Sequence, residues 1–395
     1  MNEFPRLILN KGKDAAIRRM HPWVFSGAIH HAEGDPKDGD TVWIANKQGT
    51  VLATGHYHQG NITARLFAFS QVEPDAAFWN AKIQRALDLR TNLQLADSTE
   101  TNAYRLIHAE GDGLPGLIID MYNGVAVVQA HSIGMHKARH MITDALKACL
   151  GDRLTAVYDV SAKKLPKDYG MDVENAYLYG EASVPMEVSE HGYRFLVDWE
   201  KGQKTGFFLD QRDNRDLLRR YSEGKRVLNT FCYTGGFSVY SLAAGASHVD
   251  SVDASAGAME LCEQNIALNE STGEHHAHTS DVLAFLKENE EPYDTIILDP
   301  PAYAKNIKSR HRAVIGYKRL NIAGIKALKP GGILFTFSCS QVVNTLLFQN
   351  TVMAAALECG REVQILHRLS QPSDHPVSLF HPEGQYLKGL VLKVL

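Results

Sequence analysis

The C-terminal half of the chain alternates short apolar runs with longer amphipathic stretches. Continuous apolar runs occupy residues 295–298 and 332–337, and further strands are predicted at 226–229 and 248–253. Helical patterns occupy residues 238–244, 256–269 and 317–328. Continuous apolar runs of this length are typical of strands buried on both faces of a parallel sheet. Because strands alternate with helices, we expect residues 187–395 to form a doubly wound, mostly parallel α/β sheet with right-handed crossovers.

The first 185 residues show two other patterns. Short strands are predicted at residues 41–45, 51–54 and 62–67, between glycine-containing turns, so residues 1–70 read as a β-rich module. Residues 72–185 begin with a helical pattern at 78–95. They continue with strands at 117–119 and 125–129 and with a second helical stretch near 136–149, which favours an α+β middle domain. The sequence thus predicts three domains, at 1–70, 72–185 and 187–395.

Composition narrows the class of protein. The five cysteines form no C-x-x-C pair, and no histidine cluster supplies zinc-ligand spacing with them, so we expect a reduced protein without disulfides or a metal. We recognise no signal peptide and no apolar stretch long enough to span a bilayer, which predicts a cytoplasmic protein without membrane association. The formal net charge of −4 argues against nonspecific coating of nucleic acid.

Basic residues are nevertheless concentrated in one interval. The chain has no Asp or Glu between Pro300 and Glu358. The densest part of this interval contains Lys305, Lys308, Arg310 and Arg312. Such a run is commonly a solvated surface, but here it follows Asp299-Pro300-Pro301 directly and could steer a phosphate backbone towards a site there. The N-terminal module adds Arg18 and Arg19 as candidate RNA contacts.

A strand-to-helix loop at residues 229–238 reads Asn-Thr-Phe-Cys-Tyr-Thr-Gly-Gly-Phe-Ser. Its glycines, Gly235 and Gly236, allow a ligand to approach the backbone and the helix N-terminus. The loop lacks the G-x-G-x-x-G pattern of a dinucleotide site. Asp253 ends the next strand, where a carboxylate can accept hydrogen bonds from ribose hydroxyls.

Two further acids extend this pattern. Asp281 follows a candidate third strand that lies between the strands at 248–253 and 295–298, and it could bind an adenine amino group. Asp299 directly follows the strand at 295–298. Each acid could instead serve only as a helix N-cap. Taken together, the acids favour a nucleoside without a polyphosphate as the ligand.

Cys339 lies in Phe337-Ser338-Cys339-Ser340, at the end of the apolar run 332–337. In open α/β sheets the ligand lies outside the carboxyl ends of the strands, where Asp299 and Cys339 would both emerge. A free cysteine is commonly a small buried hydrophobe. Its predicted position beside Asp299 favours a thiol nucleophile instead.

These motifs resemble those of the large-subunit ribosomal RNA cytosine-5 methyltransferases. The resemblance rests on residues 227–238, 252–255, 299–305 and 337–340, with 204–212 before the cofactor strand and 110–120 in the middle domain. His21-Pro22-Trp23 and the strands after it resemble a PUA domain, an RNA-binding module. The resemblance covers nearly the whole chain and implies a Rossmann-like methyltransferase sheet after a PUA-like barrel.

The resemblance also implies S-adenosylmethionine as the cofactor and large-subunit ribosomal RNA as the partner. The residues implied to bind the cofactor are Gln211, Phe231, Tyr233, Thr234, Gly235, Gly236, Asp253, Ala254, Asp281, Val282 and Asp299. Cys339 would be the nucleophile, because a thiolate added at C6 of cytosine lets C5 attack a methyl group. Asp299 would bind the N3 and N4 edge of the base, and the basic interval could lower the thiol pKa.

The sequence departs from the wider group of RNA cytosine-5 methyltransferases at Pro301. Many of those enzymes carry a second cysteine there for product release, so the base that removes the C5 proton is unassigned in this chain. Cys232 lies in the cofactor loop and is interpreted as a packing residue. Whether the chain forms a homodimer is left open.

Two alternatives keep most of these features. Asp299-Pro300-Pro301-Ala302-Tyr303 also resembles motifs of exocyclic amine methyltransferases, which need no cysteine. An RNA-binding assembly protein with an inactive methyltransferase fold is the second alternative, although intact acids at Asp253, Asp281 and Asp299 speak against decay. A nicotinamide-dependent dehydrogenase is disfavoured by the missing glycine fingerprint.

Overall fold

The computed structural model describes residues 4–304 and 306–395, which form two compact units. The first unit contains the chain up to Ser189 together with Val197–Phe207 and Ser373–Gly384. The second contains Glu190–Leu196, Phe208–Pro372 and Gln385–Leu395. Three stretches of the predicted domain 187–395, at 187–189, 197–207 and 373–384, therefore belong to the first unit, and the three-domain division stays a prediction.

The predicted β-rich module is a six-stranded sheet in the order β2-β6-β5-β4-β1-β3. Its elements are β1 (Arg6–Leu9), α1 (Ala15–Arg18), β2 (Trp23–Phe25), β3 (Ile29–Glu33), β4 (Thr41–Ala45), β5 (Val51–Tyr57) and β6 (Ile62–Ala68). The strands predicted at 41–45, 51–54 and 62–67 are confirmed. The first three strands escaped prediction because they are short, and β3 lies almost wholly on the surface.

The middle region forms a five-stranded sheet in the order β11-β10-β9-β8-β7. Its elements are α2 (Ala76–Asn92), β7 (Ala103–His108), β8 (Leu117–Tyr122), β9 (Val125–Ala130), α3 (Ile133–Lys137), α4 (Arg139–Leu150), β10 (Ala156–Asp159), α5 (Lys167–Gly170) and β11 (Ala176–Tyr179). Helices α2 and α4 bury apolar side chains such as Trp79, Ile83 and Leu146 in one core with the sheet. This arrangement confirms the predicted α+β character.

A two-stranded sheet, β12 (Met186–Glu190) and β13 (Tyr193–Val197), precedes the elements of the second unit. These elements are α6 (Arg212–Leu218), β14 (Arg226–Thr230), α7 (Gly236–Ala243), β15 (His248–Asp253), α8 (Ala256–Ala267), β16 (Glu274–Thr279), α9 (Val282–Glu288), β17 (Tyr293–Leu298), α10 (Arg310–Lys326), β18 (Leu328–Ser338), α11 (Thr345–Cys359), β19 (Val363–Leu369) and β20 (Lys388–Val394). The seven strands follow the order β16-β15-β14-β17-β18-β20-β19, and β20 runs opposite to the other six.

The two-sided burial of the central strands explains their continuous apolar runs. In β17, Ile296 and Leu298 belong to one apolar cluster, whereas Ile297 belongs to another cluster. Successive strand residues point to opposite faces, so both faces must be apolar when helices cover both. Strand β18 repeats the pattern, with Leu334 in the first cluster and Phe335 in the second.

The segment 281–286 forms the start of a helix. The third strand of the alternation is β16, and Asp281 caps α9 directly after it. Strands β19 and β20 lie beyond the predicted pattern and complete the sheet on the Cys339 side. Among the described residues, no helix is both long and apolar enough to cross a membrane.

Candidate active site

The carboxyl ends of five parallel strands meet at one edge of the second unit. Thr230 of β14 pairs with Leu298 of β17, and Leu298 pairs with Thr336 of β18. On the other side, Asp253 of β15 pairs with Thr279 of β16. The predicted residues of the loop after β14, Asp253, Asp281, Asp299 and Cys339 therefore all follow strands at the same edge.

The loop after β14 is held in a left-handed backbone conformation. Phe231 and Tyr233 have φ values of 53° and 49°, and Gly235 has a φ of 81°. A Cβ on Gly235 would lie 2.5 Å from Cys262 Sγ of α8. Glycine is thus required at this position both by the backbone and by the close packing of the loop on α8.

The polar groups of this loop fit a nucleoside cofactor. Both Asp253 carboxylate oxygens bind backbone N–H groups, Oδ2 that of Tyr233 at 3.1 Å and Oδ1 that of Ser255 at 2.9 Å. This pairing fixes the loop while each oxygen retains a further lone pair. Thr234 Oγ1 is buried and makes no hydrogen bond to any described residue. An unpaired hydroxyl beside Gly235 is what a polar ligand at this loop would satisfy.

The other cofactor candidates differ in what their side chains do. Asp281 is exposed and accepts a hydrogen bond from the backbone N–H of Ala284 at 3.0 Å, so it is a helix N-cap. That Asp281 binds the cofactor through its second carboxylate oxygen stays a prediction. Val282 is buried in the apolar core behind the edge, whereas Ala254 is exposed.

Asp299 is joined to Gln211 by a side-chain hydrogen bond. Gln211 Nε2 donates to Asp299 Oδ2 at 2.9 Å, and Asn214 Nδ2 donates to Gln211 Oε1 at 2.6 Å. Gln211 and Asn214 are both buried, so this chain of amides holds one carboxylate oxygen in a fixed direction. Gln211, which the resemblance implies as a cofactor ligand, therefore positions Asp299.

Cys339 directly follows β18 and is half-buried. Lys388 of β20 pairs with Ser338 in the antiparallel ladder, and its Nζ donates to the carbonyl oxygens of Ser340 and Tyr386, each at 2.6 Å. Burial lowers the pKa of Lys388 to about 8, against the opposing influence of the Cys339 charge. A buried ammonium group thus lies beside the candidate thiol.

The loop after β17 is fastened to the segment that carries Cys339. Ser340 Oγ donates to the carbonyl oxygen of Ala304 at 2.7 Å. Tyr303 packs against Tyr317 of α10, with ring centroids 4.7 Å apart. Burial raises the pKa of Tyr317 to about 12, and the charges of Cys339 and Asp299 add to the rise, so its phenol stays protonated at neutral pH.

Sequence reasoning missed a buried ion cluster behind the loop. Arg215 binds both carboxylate oxygens of Glu190 at 2.8 Å and donates to the carbonyl oxygen of Phe208 at 2.9 Å. Although burial opposes it, the charges of Arg215 and Arg212 hold the pKa of Glu190 below its ordinary value. The signal available in the sequence was the density of Arg and Asp in α6. Its partner Glu190 is too distant along the chain to be recognised.

The predicted RNA contacts lie on the surface of both units. Lys308, Arg310 and Arg312 are exposed before and at the start of α10, whereas Lys305 lies outside the described residues. Arg18 and Arg19 are exposed at the end of α1, and Arg18 is paired with Asp14 at 2.7 Å. These positions are accessible to a polyanion, and their role stays a prediction.

Comparisons with known proteins agree with this architecture. Residues 104–384 match a family model described as S-adenosylmethionine-dependent methyltransferase, and residues 7–69 match a PUA-like domain. The chain is 41% identical over 401 residues to the ribosomal RNA large subunit methyltransferase I of Salmonella arizonae, covering 99% of this chain and 98% of that protein. The protein of the same name from Salmonella typhi is 41% identical over 402 residues, covering 100% and 98%.

Two solved structures share the fold over almost the whole chain. A putative S-adenosylmethionine-dependent methyltransferase from Streptococcus mutans has a TM-score of 0.83 at 24% identity, covering 98% of this chain and 99% of that one. A putative methyltransferase complexed with SAH has a TM-score of 0.83 at 23% identity, with the same coverage of 98% and 99%. These structures confirm the predicted fold, and the family models confirm the PUA-like module and the cofactor S-adenosylmethionine.

Proposed function

We propose that this chain, which belongs to the S-adenosylmethionine-dependent methyltransferases, makes 5-methylcytosine in large-subunit ribosomal RNA through a covalent bond between Cys339 and the base. The relatives named as ribosomal RNA large subunit methyltransferase I match nearly their whole length, which supports the RNA substrate. The observation that carries the cytosine chemistry is the position of Cys339 and Asp299 after adjacent parallel strands, with buried Lys388 beside the thiol.

The thiol compensates for the weak nucleophilicity of cytosine C5. Cys339 Sγ, as the thiolate, forms a bond to C6, and the electrons of the C5–C6 double bond make C5 nucleophilic. When bound, S-adenosylmethionine supplies the methyl group that C5 takes. The C5 proton then passes to a base, its bonding electrons restore the C5–C6 double bond, and the Sγ–C6 bond breaks to regenerate the thiolate.

Asp299 is suited to hold the cytosine during this addition. Its carboxylate would accept a hydrogen bond from the N4 amino group and from a protonated N3, which stabilises the base as charge develops in the ring. The hydrogen bond from Gln211 fixes the orientation of the carboxylate before the base arrives. A preoriented acceptor needs little rearrangement during the reaction.

Lys388 acts through Cys339 as a positioning residue. Its carbonyl hydrogen bonds hold the ammonium group at the residue after the thiol, where a positive charge favours the thiolate over the thiol. Buried Lys388 is better placed for this than the exposed Arg310 and Arg312, because solvent screens exposed charges. We therefore assign the positive charge near the thiol to Lys388 of β20, and not to the basic interval that the sequence suggested.

The basic surface and the PUA-like module would bind the RNA around the target nucleotide. Exposed Lys308, Arg310 and Arg312 stand close in sequence to Asp299, so phosphates bound there would lie near the reacting base. Arg18 and Arg19 offer a second group of cations in the PUA-like module. An enzyme acting on ribosomal RNA is expected in the cytoplasm.

Trapping with fluorinated RNA tests the covalent mechanism. Ribosomal RNA containing 5-fluorocytosine has no C5 proton to lose, so methyl transfer should leave the RNA attached to Cys339. Peptide mass spectrometry after nuclease digestion should locate the adduct on Cys339. The C359S variant, which changes another half-buried thiol, should trap RNA as well as the original chain does.

The same assay separates the alternatives. An exocyclic amine methyltransferase would turn over ordinary RNA and retain activity in C339S, with no adduct on fluorinated RNA. An inactive assembly protein would bind RNA and show neither turnover nor an adduct. Turnover on ordinary RNA without any trapped adduct would overturn the covalent mechanism.

A further inference from the structure

Two histidines separated by almost the whole sequence lie together in the first unit. His21 precedes β2, and His381 with Glu383 belongs to the segment Ser373–Gly384. One ligand atom from each of the three side chains lies within 4.8 Å of the others. We propose that His21, His381 and Glu383 form a binding site for a divalent transition-metal ion, with Zn²⁺ as the best-suited cation.

His381 is buried, and its ring nitrogens have no hydrogen-bond partner among the described residues. The residue is 3% exposed. Nε2 lies 3.8 Å from the Glu383 carboxylate, which is too long for a hydrogen bond. A buried imidazole with two unused nitrogens is costly without a partner, and a cation between it and Glu383 would supply one.

His21 has one tautomer that suits a metal ligand. Its Nδ1 lies 3.2 Å from the backbone nitrogen of Trp23, which can donate to it, and 3.2 Å from the carbonyl oxygen of the same residue. In the tautomer with the proton on Nδ1, that contact is a hydrogen bond and leaves the Nε2 lone pair for a metal. Metal-bound histidines commonly donate their other N–H to a backbone carbonyl in this way.

The surrounding charges favour a cation. The carboxylates of Glu383 and Glu110 both act electrostatically on His381. Glu110 accepts a hydrogen bond from Trp23 Nε1 at 2.9 Å, and Arg65 acts on it electrostatically, so it is an outer neighbour. Glu383 is exposed and can turn towards an ion. Two imidazoles and one carboxylate are a ligand set suited to Zn²⁺, with a water as the fourth ligand.

The segment that carries two of the ligands is held firmly in the first unit. Arg90 Nη2 donates to the carbonyl oxygen of Asp374 at 2.7 Å, and Asp374 Oδ2 accepts from the backbone N–H of Arg105 at 2.9 Å. A Cβ on Gly111 would lie 1.9 Å from the carbonyl oxygen of Pro376, so the backbones are in close contact. The ion would therefore join two segments whose positions are already largely fixed, and it would stabilise the first unit.

A second cluster provides the matched control. His248, Glu274 and His276 are also close enough to share an ion. Nε2 of His248, however, is 2.8 Å from Asp250, and His276 and Glu274 are largely exposed. None of its ring nitrogens is among the buried atoms without a hydrogen-bond partner, and two of its three side chains are exposed to water, so this cluster should not compete.

Metal titration of the full chain tests the site. After treatment with a chelator, calorimetry with ZnCl₂ should show one tight site, and Zn²⁺ should raise the melting temperature. We expect E383Q, a change at an exposed residue, to weaken binding by at least about tenfold. H381F should abolish the tight site, whereas H276Q should leave both affinity and melting shift unchanged.

Cobalt distinguishes this site from the cysteines. Co²⁺ bound by His21, His381 and Glu383 should give a visible spectrum without a thiolate charge-transfer band, and E383Q should change that spectrum. Equal Zn²⁺ affinity in the original chain, E383Q and H381F would overturn the proposal. A thiolate band, or loss of the tight site in H276Q, would overturn it as well.

Discussion

The cofactor side of the proposed active site comes mainly from one stretch of chain, whereas the thiol side is assembled from four distant positions. Thr234, Gly235 and Gly236 lie in a single loop after β14. Cys339 instead depends on Lys388 from β20, and Asp299 depends on Gln211 from before α6. A local motif can be read from sequence, but a site made of distant contacts is visible only in the fold.

The largest effect is expected from removing the Cys339 thiol, which leaves the cofactor loop unchanged. Replacing Cys339 with alanine should lower methylation by about 10⁴-fold or more, the order found when a nucleophile is removed. Calorimetry should show unchanged S-adenosylmethionine binding, because the cofactor loop is intact. C359A changes another half-buried thiol, away from the cofactor loop, and is the control for activity. Retention of most activity in C339A would leave the amine methyltransferase as the better interpretation.

The next largest effect is expected from a substitution in the cofactor loop after β14. Gly235→Ala combines a left-handed backbone with a Cβ at 2.5 Å from Cys262 Sγ, so about 1–3 kcal/mol of strain is expected. S-adenosylmethionine affinity should fall, as measured by calorimetry, together with the melting temperature.

Gly257 of α8 is the matched control for this substitution. It has no positive φ, and a Cβ there meets nothing within 4 Å. G257A should therefore retain cofactor affinity and be neutral or slightly stabilising. Equal cofactor affinity in G235A and the original chain would show that the loop tolerates a side chain after all.

The pH dependence of Cys339 alkylation tests the role of Lys388. Its pKa is lowered to about 8, so the ammonium form is present below that pH and is lost as the pH rises through it. Alkylation of Cys339, followed by peptide mass spectrometry, should show a lower midpoint than alkylation of Cys149 and Cys359, which are also half-buried. In K388M the midpoint should rise by about one pH unit, which lowers the thiolate fraction at neutral pH about tenfold.

Two other variants separate charge from structure. K388R keeps a positive charge at all accessible pH values, so the low midpoint of Cys339 alkylation should be retained. K393M changes the other lysine of β20 and should leave the Cys339 midpoint where it was. If K388M and the original chain have the same midpoint while C339A is inactive, Lys388 has no role in activation although the covalent mechanism holds.

The smallest effects are expected on the surface, away from both sides of the site. K308Q and R310Q should each weaken RNA binding a few-fold and reduce the slope of log affinity against log salt by about one. Cofactor affinity should not change. K326Q, at the other end of α10, is the control, and an equal loss there would indicate nonspecific attraction rather than a local RNA path.

Much of the second unit could be predicted because its signals are local. The apolar runs that became β17 and β18 are buried on both faces, and such burial leaves a pattern in consecutive residues. Strands β14 and β15 contain polar residues and were predicted from their alternation with helices. Strand β19 is an exposed edge strand with a weak pattern, whereas β20 is a buried inner strand that was missed because it lies beyond the alternation of strands and helices. That omission also hid Lys388, because the antiparallel pairing of β20 with β18 is what brings the lysine to Ser340, the residue after Cys339.

The sequence by itself determined the parallel sheet, the glycine loop, the acids after the strands and the thiol at Cys339, because each depends on neighbours along the chain. Only the tertiary structure decided which groups act on them. Hydrogen bonds of Gln211 to Asp299 and of Lys388 to Ser340, and the approach of His21 to His381, join residues far apart in sequence. Such contacts follow from strand order and packing, which no local pattern of residues records.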